Sequence, residues 1–306
     1  MAVTIPTTFA REYTSRVLML SQQKESRFGS RVRVERVSSA ELAYFDTIDE
    51  EDDPEQHAVR HGETPLGESK WGRRKVTPVR WDKGTLLDDN DVARMLHDPQ
   101  GIVTQSFAAA FARKKDKLIR DAALGTAYIG KTGATSMAFE DESISINGDG
   151  TATALGTAAI PGVEVDITLA KVLLMLQIFN EADVDPDEPK YWAITPKSLN
   201  DLMNISEVKS SDYNTVKVLS SGQMNSYLGF EFFWTNLLTK DTTEVTCYRS
   251  IAWAQSGIVL AYIADMTTRI SERDDRKYAT QIYSAMDLGA VRMEGAKVHE
   301  CLNKVA

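Results

Sequence analysis

The sequence has only two cysteines, Cys247 and Cys301, and four histidines. Two thiols far apart in sequence build no disulfide framework and no paired zinc-ligand spacing. No apolar stretch follows the first methionine, so secretion is not indicated and a reducing cytosol is the expected compartment. The longest helical apolar run, Leu169 to Phe179, contains Lys171 and Gln177 and is too short to span a bilayer. Basic charge is also in deficit. Thirty-five Lys and Arg against 44 Asp and Glu give a net charge of −9, a field that repels nucleic acid and anionic membrane on average. No Lys/Arg stretch is interleaved with aromatics as in single-strand binding platforms.

Catalytic signatures are equally sparse. There is no Gly-x-Ser-x-Gly elbow, and neither cysteine carries a local nucleophile signature. The carboxylate pairs Asp52-Asp53 and Asp274-Asp275 are adjacent in sequence, whereas acid/base pairs need divergent environments. His57 and His61 are four apart, with Glu55 and Glu63 nearby, but Pro54, Gly62 and Pro65 oppose the helix that would align them. No metal and no cofactor are expected. One motif stands against this. Residues Gly125 to Thr132, GTAYIGKT, match the Walker A pattern and carry the alternative reading of a P-loop nucleotide hydrolase. A working P-loop follows a strand and opens a helix; this one follows a helix and opens a Gly/Thr-rich β-like segment. A helix C-terminal stop followed by a turn explains both glycines.

What remains is an ordinary globular composition, with 42% apolar and 26% charged residues, so the chain is expected to fold throughout. Over 6–25, Phe9, Tyr13, Val17 and Leu20 recur at helical spacing. From Ala40 to Asp89 helical periodicity is lost and charge separates, acidic from Asp46 to Glu55 and basic from Lys70 to Arg80. Glu41 to Phe45 and Lys75 to Trp81 read as short strands, with Pro78 inside the second, which should place it at a sheet edge. A helix is expected from Pro99 to Leu124, with Asp98 as N-cap and Gly125 as stop. Its apolar face is Val103, Phe107, Phe111, Leu118 and Ala122. Strands and turns follow over 126–166, then a helix from Ile167 to Glu181, a strand from Tyr191 to Ile194, and a helix capped by Thr195 and opened by Pro196. Beyond Phe230 the chain is strand-like, with Val291, Met293, Ala296 and Val298 alternating against Arg292, Glu294, Lys297 and His299. The fold class is α+β, and no internal repeat is visible.

An acidic limb facing a basic limb can pair charges internally and present opposite signs to two neighbours. That property suits an assembly arm. The candidate contact residues are Asp49, Glu50, Glu51, Lys70, Arg73, Arg74 and Lys75. As surface charges, Arg73 and Arg74 are expected to matter little to subunit stability.

The segments "LLDDNDVARMLHDP" from Leu86, "AAAFARKKDKLIRDAALG" from Ala108, "YWAITPKSLNDLM" from Tyr191, "SSGQMNSYLGFEFFWTNLL" from Ser220 and "RDDRKYATQIYSAMDLGAVRMEGAKVHEC" from Arg273 occur in an order that resembles the tailed-bacteriophage major capsid proteins of the Hong Kong 97 fold. The resemblance implies an N-terminal arm over 1–40, an E-loop hairpin over 41–85 reaching across a neighbour, and a peripheral domain over 86–166 with its spine helix at 99–124. It further implies a central A-domain over 167–260 and return strands over 261–306. The implied function is self-assembly as homo-pentamers and hexamers into an icosahedral virion shell, built in the bacterial cytoplasm and enclosing double-stranded DNA contacted non-specifically. The alternative within the same fold is an encapsulin-like nanocompartment shell. About forty residues precede the E-loop, too few for a built-in scaffold, so a separate scaffolding protein and a portal are the implied partners, with no membrane. The family's type member joins an E-loop lysine to a neighbour's asparagine; Lys70 and Lys75 lie in this loop, but no motif identifies a partner, and crosslinking is not expected.

Overall fold

The computed structural model describes residues 22–38, 41–48, 51, 53, 56, 66–88, 99–157, 165–205, 226–241 and 247–304. Strands β1 (Arg33–Arg36), β2 (Ala43–Ile48), β3 (Trp71–Val76) and β4 (Val79–Leu87) precede the long helix α1 (Pro99–Leu124). Then come β5 (Ala127–Ile129), β6 (Thr135–Met137), the single turn α2 (Phe139–Glu142), β7 (Ser145–Ile146), α3 (Leu169–Glu181), β8 (Lys190–Ile194) and α4 (Pro196–Asn204). The rest is strand: β9 (Ser226–Tyr227), β10 (Phe230–Trp234), β11 (Cys247–Ala254), β12 (Ile258–Arg273), β13 (Ala279–Arg292) and β14 (Val298–Lys304). These form three sheets, ordered β1-β12-β13-β4, β7-β14-β11-β8-β10-β9 and β2-β3-β5-β6. The described residues divide between two compact units, one drawn from 1–25, 81–113 and 266–286, the other from 26–80, 114–265 and 287–306.

In the second unit the six-stranded sheet and the two helices α3 and α4 enclose a hydrophobic core. Strand β8 lies between β11 and β10, and all five of its residues are buried, so both of its faces are covered. Trp192 on β8 packs against Phe230 and Phe232 of β10, with ring centroids 5.4 Å apart in both pairs. Met175, Ile178 and Phe179 of α3 and Leu199 and Leu202 of α4 close over it. Both helices begin where local chemistry directs. Thr168 accepts the amide of Lys171, and Thr195 accepts that of Ser198, ahead of Pro196 at the first helical position. The α3 helix therefore starts at Leu169, two residues after the expected boundary.

Helix α1 has the expected bounds, although Asp98 lies outside the described residues. Gly125 ends it; a Cβ there would come within 2.5 Å of the Asp121 carbonyl oxygen. Phe107 and Phe111 are buried as expected, but the buried residues farther along are Asp116, Ile119 and Ala123 in place of Leu118 and Ala122. The reason is polar. Asp116 accepts the backbone amides of Arg27 (3.0 Å) and Phe28 (3.2 Å) and the hydroxyl of Ser26, so its carboxylate closes the turn that leads to β1. Of the arm helix expected over 6–25, residues 6–21 lie outside the described residues, and 22–25 are not helical. Gln22 and Gln23 instead accept hydrogen bonds from Arg113.

Two further expectations are corrected. Pro78 does not lie within a strand; it sits in the break between β3 and β4, and β4 is an edge strand. The break passes close over Gly289 on β13, where a Cβ would meet the Thr77 carbonyl oxygen at 3.0 Å. The C-terminal alternation also fails. Arg292 is fully buried, Gly295–Lys297 form a turn of 3-10 helix, and His299 and Glu300 are buried in β14, which has β7 on one side and β11 on the other.

Candidate assembly surface

Strands β2 and β3 form an antiparallel hairpin in register from Ala43 opposite Val76 to Ile48 opposite Trp71. Its root is apolar and covered: Ala43 and Val76 pack with Ala127, Val259, Ala261, Val291 and Met293. The outer rung is apolar and bare. Ile48 is 55% and Trp71 67% exposed, and Leu66, shortly before β3, is 93% exposed. A cross-strand Ile–Trp pair normally buries itself, so an exposed one is a candidate contact surface.

The candidate charges divide by position along the hairpin. Arg73 faces Asp46 directly across the strands and grips it through two hydrogen bonds, Nε to Oδ1 at 2.6 Å and Nη2 to Oδ2 at 3.0 Å. This bond holds the Asp46 carboxyl below the usual carboxylate range and raises the Arg73 guanidinium. Lys75 extends toward the Tyr128 ring, Nζ to centroid 5.9 Å. Lys70 and Glu51 are exposed, while Asp49 and Glu50 lie outside the described residues. The one described rung with opposite charges facing is thus Asp46–Arg73.

Arg74 behaves differently from a surface charge. Its guanidinium donates Nη1 to Oε1 (3.1 Å) and Nη2 to Oε2 (2.5 Å) of Glu142, and both side chains are nearly buried, at 13% and 12% exposure. Arg292, fully buried, donates Nε to the same carboxylate at 2.6 Å and Nη1 to the carbonyls of Ala123 and Gly125, each at 2.8 Å. The Arg292 side chain therefore satisfies two orphan carbonyls at the end of α1 and passes the connection through Glu142 to the hairpin. Sequence reasoning missed Glu142, Arg292, Ile48 and Trp71. Only Trp71, an aromatic within a run of charges, left a visible signal.

The Walker-like segment is placed by the structure as a helix stop and a β-turn. Gly125 ends α1, Ala127–Ile129 form β5, and the Gly133 amide donates to the Gly130 carbonyl at 3.0 Å. Gly130 has φ +90°, a conformation that favours glycine. No helix opens after Lys131, so the required phosphate-binding context is missing and the hydrolase reading loses its support. His57 and His61 lie outside the described residues; among the described residues no group of three His, Cys, Asp or Glu side chains is placed to hold a metal. No described helix is long and apolar enough to cross a membrane.

A family model described as phage capsid protein matches residues 5–305. No curated protein matches. Among solved structures the chain is similar to the capsid of Ralstonia phage GP4, at 12% identity and a TM-score of 0.75, covering 100% of this chain and 98% of that one. It is similar also to the capsid asymmetric unit of cyanophage Pam1, at 13% identity and TM-score 0.70 over 100% and 99% of the two chains. For the capsid of cyanophage P-SCSP1u the values are 16% identity, TM-score 0.69, and 96% and 92% coverage. These likenesses establish the fold, the Hong Kong 97-type fold of tailed-phage capsid subunits. Taken with the match over 5–305, they complete the case that the chain belongs to the phage capsid protein family and is a major capsid protein, a structural subunit.

Proposed function

We propose that this subunit assembles as pentamers and hexamers into a closed icosahedral shell enclosing double-stranded DNA, with the segment 41–85 acting as an arm that lies on a neighbouring subunit. The observation that carries the reading is the bare Ile48–Trp71 rung at the outer end of a hairpin whose root is packed and ion-paired. A polypeptide that leaves a tryptophan two-thirds exposed beside an ion-paired strand has an apolar surface to cover, and a second subunit covers it. In the same reading α1 is the spine of a peripheral region drawn from 86–166 and 261–306, and 167–260 forms the region at capsomer centres. Residues 1–40 form the N-terminal arm. A scaffolding protein and a portal are the partners, assembly takes place in the host cytoplasm, and no catalytic step is assigned to the subunit.

The remaining hairpin charges act at the rim of this contact. Glu51, Lys70 and Arg73, with Asp49 and Glu50, guide approach and fix register, because rim charges affect association more than folding. The test is co-expression with a scaffolding protein followed by negative-stain microscopy. Closed shells of uniform diameter are expected, with DNA inside those recovered from infected cells. The Ile48→Ser/Trp71→Ser protein should unfold at an unchanged temperature and yield no shells. Persistent monomers of the unaltered protein overturn the reading, and normal shells from the double variant overturn the role of the hairpin tip.

A further inference from the structure

Strand β1 lies at the end of its sheet, parallel to β12, with Arg33 beside Val259 and Arg36 beside Tyr262. Among the described residues no strand covers its outer edge. The direction of its backbone groups follows from one bond: the Val37 amide donates to the Tyr262 carbonyl at 2.9 Å. Backbone direction alternates along a strand, so Arg33 and Glu35 also turn their amides and carbonyls toward β12, while Val34 and Arg36 turn theirs to the open edge. Val34 is 47% exposed, and openings of about 510 and 280 Å³ flank it. Arg33 and Glu35 share one face of the strand and pair with each other at 2.7 Å, with 56% and 36% side-chain exposure.

Natural proteins blunt open edges with short strands, charged side chains, a proline or a bulge. This edge has neither proline nor a residue of positive φ; it is short and three of its four residues are charged, of both signs, so it admits only a strand whose charges are matched to its own. We propose that β1 pairs antiparallel with β1 of a second copy, about a two-fold axis through Val34. In such a pair residues equidistant from the centre face each other, so the choice of centre decides which charges meet. Centring on Arg33, Glu35 or Arg36 sets a like charge against itself, and centring on Val32 sets Arg33 against Arg31. Centring on Val34 sets Arg33 against Glu35 of the second copy, twice by symmetry, and Val32 against Arg36. The Val34 pair also exchanges both outward backbone hydrogen bonds. The occupant is thus a second copy because the edge is complementary to itself. This inference deepens the self-assembly reading above by naming a two-fold contact separate from the hairpin.

The experiment introduces a thiol at the axis. Both natural cysteines are buried, so Val34→Cys supplies the accessible one among the described residues. A directly opposed pair in a ladder has a Cα separation of about 5.5 Å, within reach of a disulfide or of dibromobimane. Assembled Val34→Cys protein should give a covalent dimer on a denaturing gel, and Arg36→Cys should not, because it faces position 32 of the second copy. Adding Glu35→Arg to Val34→Cys should reduce dimer yield about tenfold, since two attractive pairs become repulsive. Adding Arg33→Glu to that protein should restore it. Val34→Cys shells that give no covalent dimer overturn the pairing and leave the self-assembly reading intact. A Val34→Cys dimer indifferent to the charge swap overturns the register, and absence of both shells and dimer overturns both readings.

Discussion

Arg74 of β3 and Arg292 of β13 hold the same carboxylate: Arg74 Nη2 lies 2.5 Å from Glu142 Oε2, and Arg292 Nε 2.6 Å from Oε1. One acid thereby neutralises part of two cations from strands distant in sequence, one nearly and one fully buried. Removing a partner from such a group leaves charge in a poorly solvated place, which is why it is more costly than losing a surface pair.

Arg73 and Arg74 should therefore respond differently to substitution. Arg74→Ala is expected to lower subunit stability by about 3 kcal/mol, since it breaks a nearly buried pair. Arg73→Ala, losing a half-exposed pair with Asp46, should change it by less than about 1 kcal/mol. Urea unfolding of the unassembled subunit separates the two. Equal effects would show that the burial of Glu142 has no energetic consequence.

His299 gives the subunit an acid sensitivity. It accepts the Ile144 amide at Nδ1 (3.2 Å) and donates Nε2–H to the Ala296 carbonyl (2.9 Å), so the neutral ring is the form held. Burial pushes its pKa from 6.5 to about 4. The unfolded chain thus takes up the proton first as pH falls. Its stabilising contribution is complete above about pH 6.5 and is lost as pH drops toward 4, on the order of 3 kcal/mol in all. Comparing denaturant midpoints at several pH values for the unaltered and His299→Gln proteins checks this, and the variant should show the shallower decline.

Phe111 is 6% exposed on α1, and Phe107 at 4% has the Lys83 ammonium 5.1 Å above its ring centroid. Phe111→Ala should cost about 3–5 kcal/mol and give insoluble or misassembled protein. The soluble fraction after expression and its unfolding midpoint are the readouts. A soluble protein with unchanged stability would show that this face of the helix is not packed.

Asp116→Ala should loosen the turn at Ser26–Phe28 that precedes β1. Three donors lose their acceptor, at a cost of roughly 1–3 kcal/mol for each one left buried without a replacement. Amide hydrogen exchange at Arg27 and Phe28 should speed up by more than exchange in β8. Uniform acceleration across both would place Asp116 in general stability and not in this turn.

Features whose causes lie within a few residues are legible in the chain alone. Proline at the first position and glycine past the last delimit α1, Thr195 and Pro196 open α4, and loss of periodicity between Ala40 and Asp89 marks the charged hairpin segment. Capping and turn formation involve neighbours along the chain, so their signals are local. Which charges stay in water is settled only on folding. Glu142 is 68 residues from Arg74 and 150 from Arg292, and no local pattern distinguishes these arginines from exposed ones. Asp116 was hidden for the same reason, its partners Arg27 and Phe28 lying 89 and 88 residues away. Alternation in the last strands misled because it presumes one wet face, whereas both faces of β14 are covered and His299 and Glu300 are buried together with Val298 and Cys301. Burial is a property of what packs on a residue, and the segments that pack there come from distant parts of the chain.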